Sequence, residues 1–329
     1  MEVDLHVTNR CNLRCQHCVY QSGTWKMDDM TLDTIYDLIP SLQRMQVKEI
    51  HITGGEPLLN QQIYAIISLL HNAGFIIKMQ SNGMILDQKK AMKIKKLGVS
   101  QILISIDGMS LSHNVFRNHS SSFDAAIQAI KTCLYCGIPT RVNSVLHRDN
   151  IKDIENLINL TSQIGVNHHS FFYLTPIGRG KNLKEKYLSF SEWKEICGII
   201  IELAQKIHFQ DKIKIQDVFH EAGESIENIC RRDNCLIMSN GDVYSCVFFV
   251  GSKYRMGNIL NQTLWDIWEN STIWHLLSAP RKKRCSRLCG GGCPGLTYLI
   301  TGTIDRCNPQ CCPESNLISS CIRKYAKSR

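Results

Sequence analysis

The chain has 329 residues, 43% of them apolar, and a formal net charge of +9, which is enough length for one large domain and a smaller one. No run approaches the roughly 18 apolar residues that span a bilayer, and residues 1–8 alternate polar and apolar instead of forming a signal peptide, so a cytoplasmic location without a membrane partner is expected. The positive charge is spread through stretches such as KKAMKIKKLG (89–98), without clustering or interleaved aromatics, which argues against nucleic acid as a partner.

The first strand is expected at 3–8 and runs straight into CNLRCQHC (11–18), three cysteines in eight positions. A helix follows at 31–46, opening at Thr31, and then a strand at 47–53 that ends in GGEP (54–57). The alternation continues with a helix at 60–73, a strand at 75–81 ending in SNG, a helix at 87–97, and a strand at 101–107 ending in DG. Helices at 122–136 and 150–164 flank a strand at 140–146, and a sixth strand lies at 168–174. Each strand is rich in Ile, Val, Phe or Leu between polar or glycine boundaries. Gly74, Gly98, Gly137 and Gly165 each follow the last periodic residue of a helix, where a left-handed turn is expected.

Six βα units in sequence imply parallel strands with right-handed crossovers. Six are too few for a closed eight-stranded barrel, so the expected fold is α/β, an open partial (β/α)6 TIM-like barrel. Ligands of such folds sit at the carboxyl ends of the strands, which places the cysteine motif, GGEP, SNG and DG on one rim. After TPIGRGKN (175–182) and a helix from about 189 to 206, the character changes. Ten of the sixteen cysteines lie between Cys230 and Cys321, in a stretch with weak periodicity and glycine-rich turns, where metal ligation is the expected staple. The expected domains are a barrel at 1–210 and a small cysteine-rich unit at 211–329.

Cytoplasmic thiols are kept reduced, so these cysteines read as metal ligands and not as disulfides. The spacing Cys11-x3-Cys15-x2-Cys18 admits zinc if a fourth ligand is found. A four-iron cluster held by three cysteines instead leaves one iron open to a substrate or cofactor. Iron would make the protein oxygen-sensitive and its host anaerobic.

CNLRCQHC followed by GGEP and six βα units resembles the radical S-adenosylmethionine (SAM) superfamily. The resemblance implies an enzyme whose [4Fe-4S] cluster, on Cys11, Cys15 and Cys18, binds SAM at its open iron. Reductive cleavage then yields a 5′-deoxyadenosyl radical that abstracts a substrate hydrogen. It also implies that Gly54, Gly55 and Glu56 hold the methionine moiety, that Asn82 and Ser105 contact ribose or carboxylate, and that Arg117 reaches the SAM carboxylate. As residues alone, Asn82 and Ser105 equally suit strand-end turns, and Arg117 an exposed loop. No general acid or base is readable; Tyr20, His51, His147 and Tyr173 lie near strand ends or cluster loops but suit packing roles as well. Cys133, Cys136 and Cys197 fall within helical patterns and read as small hydrophobes.

The tail resembles a SPASM domain, which carries one or two auxiliary four-iron clusters. By position, Cys230, Cys235, Cys246 and Cys293 would hold the first. Cys285 and Cys289, with one or more of Cys307, Cys311, Cys312 and Cys321, would hold the second. The usual C-x2-C-x5-C-x3-C is replaced here by C-x3-C-x3-C (285–293). Val247 stands where sulfatase-maturating relatives have a basic aspartate, which argues against that reaction. The resemblance implies a peptide substrate first and a small molecule or tetrapyrrole second. It also implies a reductant such as flavodoxin or ferredoxin, and a separate leader-peptide recognition protein where none is fused. A scaffold or electron carrier without catalysis is the rival from another class.

Overall fold

A computed structural model describes residues 1–23, 29–216, 233–278 and 293–304. Six strands and their helices follow the expected alternation: β1 (Glu2–His6), α1 (Leu32–Arg44), β2 (Glu49–Thr53), α2 (Ile63–Asn72), β3 (Ile76–Ser81), α3 (Gln88–Lys96), β4 (Val99–Ser105), α4 (Ser110–Arg117), α5 (Ser122–Tyr135), β5 (Thr140–Leu146), α6 (Ile154–Ile164) and β6 (His168–Tyr173). They are followed by α7 (Phe190–Lys206) and β7 (Ile213–Ile215). Strands β1 to β7 are adjacent in order and all parallel. That is the partial barrel the alternation predicts, with one strand more than six.

Local chemistry sets the boundaries. Thr31 caps α1 by accepting the Thr34 N–H at 3.2 Å, and Asp87 caps α3 by accepting the Lys90 N–H at 2.8 Å. Ser189 and Glu192 form a reciprocal capping box on α7. Gly165 takes the left-handed conformation at the end of α6.

Alternate strand residues point to opposite faces. Val3, Leu5, Ile50, Ile52, Ile77, Met79, Ile102, Ile104, Val142 and Phe171 are fully buried and form one core with the helices. From α2 and α6 that core receives Ile63, Ile66, Ile67, Leu70, Leu157 and Ile158. The inner face of the strands is polar by contrast, carrying Asp4, His6, His51, Lys78, Arg141 and Ser170.

The described part of the tail continues the barrel sheet. Strand β8 (Asn234–Ile237) pairs in parallel with β1, and β9 (Asp242–Tyr244) and β10 (Gly257–Asn258) extend the same sheet antiparallel. Helix α8 (Leu264–Asn270) buries Leu264, Ile267 and Trp268 in the common core, and the Arg44 guanidinium of α1 lies 4.0 Å over the Trp265 ring. Two further helices, α9 (Thr272–Ser278) and α10 (Pro294–Thr301), complete the described tail. These segments therefore do bury apolar surface, because they complete a sheet already formed. No helix among the described residues is long and apolar enough to cross a membrane.

Candidate active site

The loop after β1 carries the three thiols. Cys11 and Cys15 are buried and Cys18 half-buried, with Leu13 and Met84 packed around them. The Leu13 N–H points at Cys11 Sγ at 3.4 Å, and the Asn82 amide donates to the same sulfur at 3.8 Å. Burial pushes the Cys11 thiol up to about 12 and the Cys15 thiol up to about 11; beside Cys15 the Arg117 guanidinium pulls the other way. Among the described residues, three side chains whose donor atoms all lie within 4.8 Å of one another occur at Glu2, Asp4 and His51, and not at the three cysteines. Three thiols on one loop, with two N–H donors aimed at the Cys11 sulfur, fit the protein ligands of an iron–sulfur cluster.

GGEP packs directly on this loop. The Gly55 N–H donates to Thr8 O at 2.7 Å and the Glu56 N–H to Arg10 O at 2.9 Å. A Cβ on Gly55 would lie 2.2 Å from Arg10 O and 2.9 Å from Cys11 Cβ, and one on Gly54 would lie 2.7 Å from Thr8 O. The glycines are thus required by the approach of two backbones. Sequence reasoning had no access to that reason.

Glu56 is fully buried. Its carboxylate accepts the Asn82 N–H at 2.8 Å, the Leu58 N–H at 3.3 Å and the Ser81 hydroxyl at 3.0 Å. Asn82 in turn donates to Asn12 Oδ1 at 2.8 Å and accepts the Met84 N–H at 2.9 Å. GGEP, SNG and the cysteine loop are therefore one hydrogen-bonded unit. Burial raises the Glu56 carboxyl from 4.5 to about 7, against the pull of its three donors. Between those two values the folded chain keeps a proton that the unfolded chain has lost, so Glu56 makes the native state less stable as pH rises through that window. The effect is about 3 kcal/mol. Glu56→Gln is expected to gain stability relative to the parent by that order from pH 4.5 to 7, read by denaturant unfolding. Parallel pH profiles would show that Glu56 is already ionised.

Ser105 ends β4, buried, in register with Asn143 of β5. Arg117 ends α4 and is no exposed loop cation: it is 8% exposed, and its Nε donates to Asp107 Oδ2 at 2.7 Å. The C-terminal end of α4 is tied to the cysteine loop, since the Gln16 N–H donates to Phe116 O at 2.8 Å and the Gln16 amide to Val115 O at 2.9 Å. Asp107 also accepts the Val145 N–H at 2.9 Å. Burial would raise its carboxyl, but the Arg117 guanidinium, with His17 and His113, holds it well below the usual range. His17 stacks on Phe116 with ring centroids 4.1 Å apart and turns its Nε2 toward Asp107 at 3.6 Å. Asp107→Ala leaves Arg117 buried without its counter-charge and is expected to cost about 3–5 kcal/mol. Chemical denaturation tests this, and a loss under about 1 kcal/mol would show that the pair behaves as a solvated one.

The loop after β6 supplies a residue that sequence reasoning passed over. Arg179 Nε donates to Cys15 O at 2.7 Å, its Nη1 to Ser22 O at 2.9 Å, and its backbone N–H to Cys18 O at 3.0 Å. A Cβ on Gly178 would lie 2.3 Å from both Cys18 O and Val19 O. TPIGRGKN is thus a strap across the back of the cysteine loop. An arginine between two glycines was its only signal.

The four aromatic candidates have plain partners. Tyr173 donates to Leu188 O at 2.7 Å, and His51 shares a hydrogen bond with Asp4 at 2.9 Å. His147 accepts the Asp149 N–H at 3.3 Å, and Tyr20 meets His6 edge-on with centroids 4.3 Å apart. Cys133 is fully buried in α5, whereas Cys136 and Cys197 are half-buried.

In the tail, Cys246 precedes a short 3-10 turn at Val247–Phe249 and Cys293 caps α10. These elements abut, since a Cβ on Gly295 would lie 2.6 Å from Phe248 Cβ. Both cysteines are half-buried. Cys235, the other described tail cysteine, lies in β8. It stands in register with Val3 on the helix-packed face of the sheet, fully buried in the core, and burial pushes its thiol far up. Spacing alone could not tell which face of β8 it takes. Cys230, Cys285, Cys289, Cys307, Cys311, Cys312 and Cys321 lie outside the described residues.

Residues 5–161 match the model of the radical SAM superfamily, and residues 230–294 match SPASM, an iron–sulfur cluster-binding domain. The chain belongs to the radical SAM superfamily and carries a C-terminal SPASM domain. It is an enzyme, and its cofactors are iron–sulfur clusters and SAM. It is 25% identical over 324 residues to the mycofactocin maturase MftC of Mycolicibacterium smegmatis, covering 93% of this chain and 81% of that protein. It is 24% identical over 335 residues to the AdoMet-dependent heme synthase of Methanosarcina barkeri, covering 93% and 94%. The fold is that of Streptococcus suis SuiB, solved with its precursor peptide SuiA, at a TM-score of 0.81 and 15% identity over 95% of this chain and 76% of that one.

Proposed function

We propose that this enzyme modifies a peptide. The alignment with a maturase across 93% of this chain carries the reading, and the fold shared with a protein solved with its precursor peptide supports it. Cys11, Cys15 and Cys18 hold the SAM-binding cluster. Glu56, Asn82, Ser105 and Arg117 face SAM, with Gly54 and Gly55 allowing the loops that carry them to close. Bound there, the reduced cluster and SAM would supply the one-electron chemistry for removing a hydrogen atom from the substrate. The chain's own contribution is placement: Glu56 organises the Asn82 turn, Asp107 fixes Arg117, and Arg179 fixes the cysteine loop.

Residues 1–210 form the catalytic unit and 211–329 the auxiliary-cluster unit. In the latter, Cys230, Cys246, Cys285, Cys289 and Cys293, with members of the set Cys307, Cys311, Cys312 and Cys321, are the ligands, and Cys235 is not. The electron donor is flavodoxin- or ferredoxin-like, a separate protein recognises the leader peptide, and the enzyme works in an anaerobic cytoplasm.

A second reading, a tetrapyrrole substrate, is favoured by the alignment with heme synthase over 94% of that protein. The test is anaerobic reconstitution with iron and sulfide, then dithionite, SAM and either short peptides encoded beside the gene or a coproporphyrin. A mass change in a peptide with stoichiometric 5′-deoxyadenosine supports the first reading. A change only in the porphyrin replaces it by the second.

A further inference from the structure

The inner face of the sheet holds two basic strand residues in β1 to β6 that are treated differently. Lys78 of β3 pairs with Glu49 of β2. Arg141 of β5 has no ion pair among the described residues, and its Nε is buried without a hydrogen-bond partner. Burial works against its charge, with Glu2 as the countervailing anion. An arginine half-withdrawn from water and left unpaired is costly unless a ligand anion completes it.

Its neighbours share that condition. In register, Leu103, Arg141 and His168 form one row across β4, β5 and β6, and Ser105, Asn143 and Ser170 form the row above. His168 Nδ1, Asn143 Oδ1 and the hydroxyl of Ser170, which is 1% exposed, are all buried without partners. Asn143 can present either end of its amide. Lys214 of β7 stands beside Ser170 at the open edge, and the Arg141 guanidinium lies 6.0 Å from the Phe172 ring. The opposite wall carries Glu2, Asp4 and Glu49. An anion is therefore drawn to the β5–β7 wall and repelled from β1 and β2.

We propose that Arg141, with Asn143, His168 and Ser170, forms a subsite that binds a carboxylate of the substrate. The guanidinium fork matches a carboxylate in charge and geometry, and the Ser170 hydroxyl and Asn143 amide supply neutral donors in the row above. Ser105 stands in that upper row, one inward-facing step of about 6.6 Å toward the rim from Arg141. A substrate anchored here by its carboxylate extends up to the cysteine loop. The proposal rests on the substrate readings above, and both offer the chemistry: a peptide carboxylate or a tetrapyrrole carboxylate side chain.

The test uses the reconstituted full chain with SAM, held anaerobic, and two probe pairs: an acetylated tripeptide as acid or amide, and coproporphyrin III or its tetraamide. Binding is read by calorimetry and porphyrin fluorescence. The acid of one pair is expected to bind about tenfold more tightly than its neutral form, and that pair names the source. Arg141→Gln should bring acid and amide to within about twofold, while Arg141→Lys keeps part of the preference. Both variants must match the parent in iron content and melting temperature. Equal binding of acid and amide by the parent, no binding of any acid probe, or a preference surviving in Arg141→Gln overturns the subsite. 5′-Deoxyadenosine is assayed in parallel. Its formation without acid preference sinks the subsite alone, whereas its absence sinks the catalytic reading.

Discussion

Cys15→Ala is expected to abolish 5′-deoxyadenosine formation while lowering bound iron by about four atoms per chain, one four-iron cluster. Cys15 is the central thiol of the loop, buried beside Arg117 and held through its carbonyl by Arg179. Alanine removes the sulfur but leaves the carbonyl, so Arg179 keeps its bond and the loop keeps its path. The tail is separate in sequence and built on other cysteines, so its iron stays. Colorimetric iron, sulfide and the product assay on one sample decide the matter. Deoxyadenosine from the variant would remove Cys15 from the radical site. Loss of all iron would mean that the tail clusters depend on this loop.

Gly55→Ala is expected to have nearly as large an effect on activity for a different reason. The new methyl would lie 2.2 Å from Arg10 O and 2.7 Å from Arg10 C, backbone atoms that cannot swing aside as a side chain end can. GGEP must then move off the cysteine loop, breaking the bonds from Gly55 N–H to Thr8 O and from Glu56 N–H to Arg10 O. Overpacking of this kind costs about 1–3 kcal/mol, so the chain should still fold. The displaced loop should lose SAM affinity and the cluster's electron paramagnetic resonance shift on SAM addition. An unchanged spectrum and turnover would mean that the two loops are free to separate.

Much of the architecture was legible in the residues because each barrel unit repeats local signals. A strand of Ile and Val, a turn with Gly, and a helix with Thr or Asp at its start each follow from local backbone and solvent preferences. The strand predicted at 101–107 lies at Val99–Ser105, and the helix predicted at 150–164 begins at Ile154 after a short 3-10 turn. Helix α4 went unread because its buried face is His113, Phe116 and Arg117, which does not look apolar. Strands β8 to β10 are only 4, 3 and 2 residues long, too short to show a period of two, and β8 is placed by pairing with β1.

The site divides in the same way. Cys11, Cys15, Cys18 and GGEP announce themselves by residue type and spacing, since thiols and paired glycines have few other uses at a strand end. Asp107, Arg179 and Arg141 do not, because a charged residue in a loop or strand is ordinarily solvated and sequence carries no measure of burial. By itself the sequence determined the parallel barrel, since that depends on periodicity along the chain, and the resemblance of its motifs to a known family supplied the class of chemistry. Only the tertiary structure decided that Arg117 is buried against Asp107, that Cys235 faces the core, and that Arg141 stands inside the barrel with no ion pair among the described residues. Those facts depend on which residues distant strands bring side by side, and on the water they exclude.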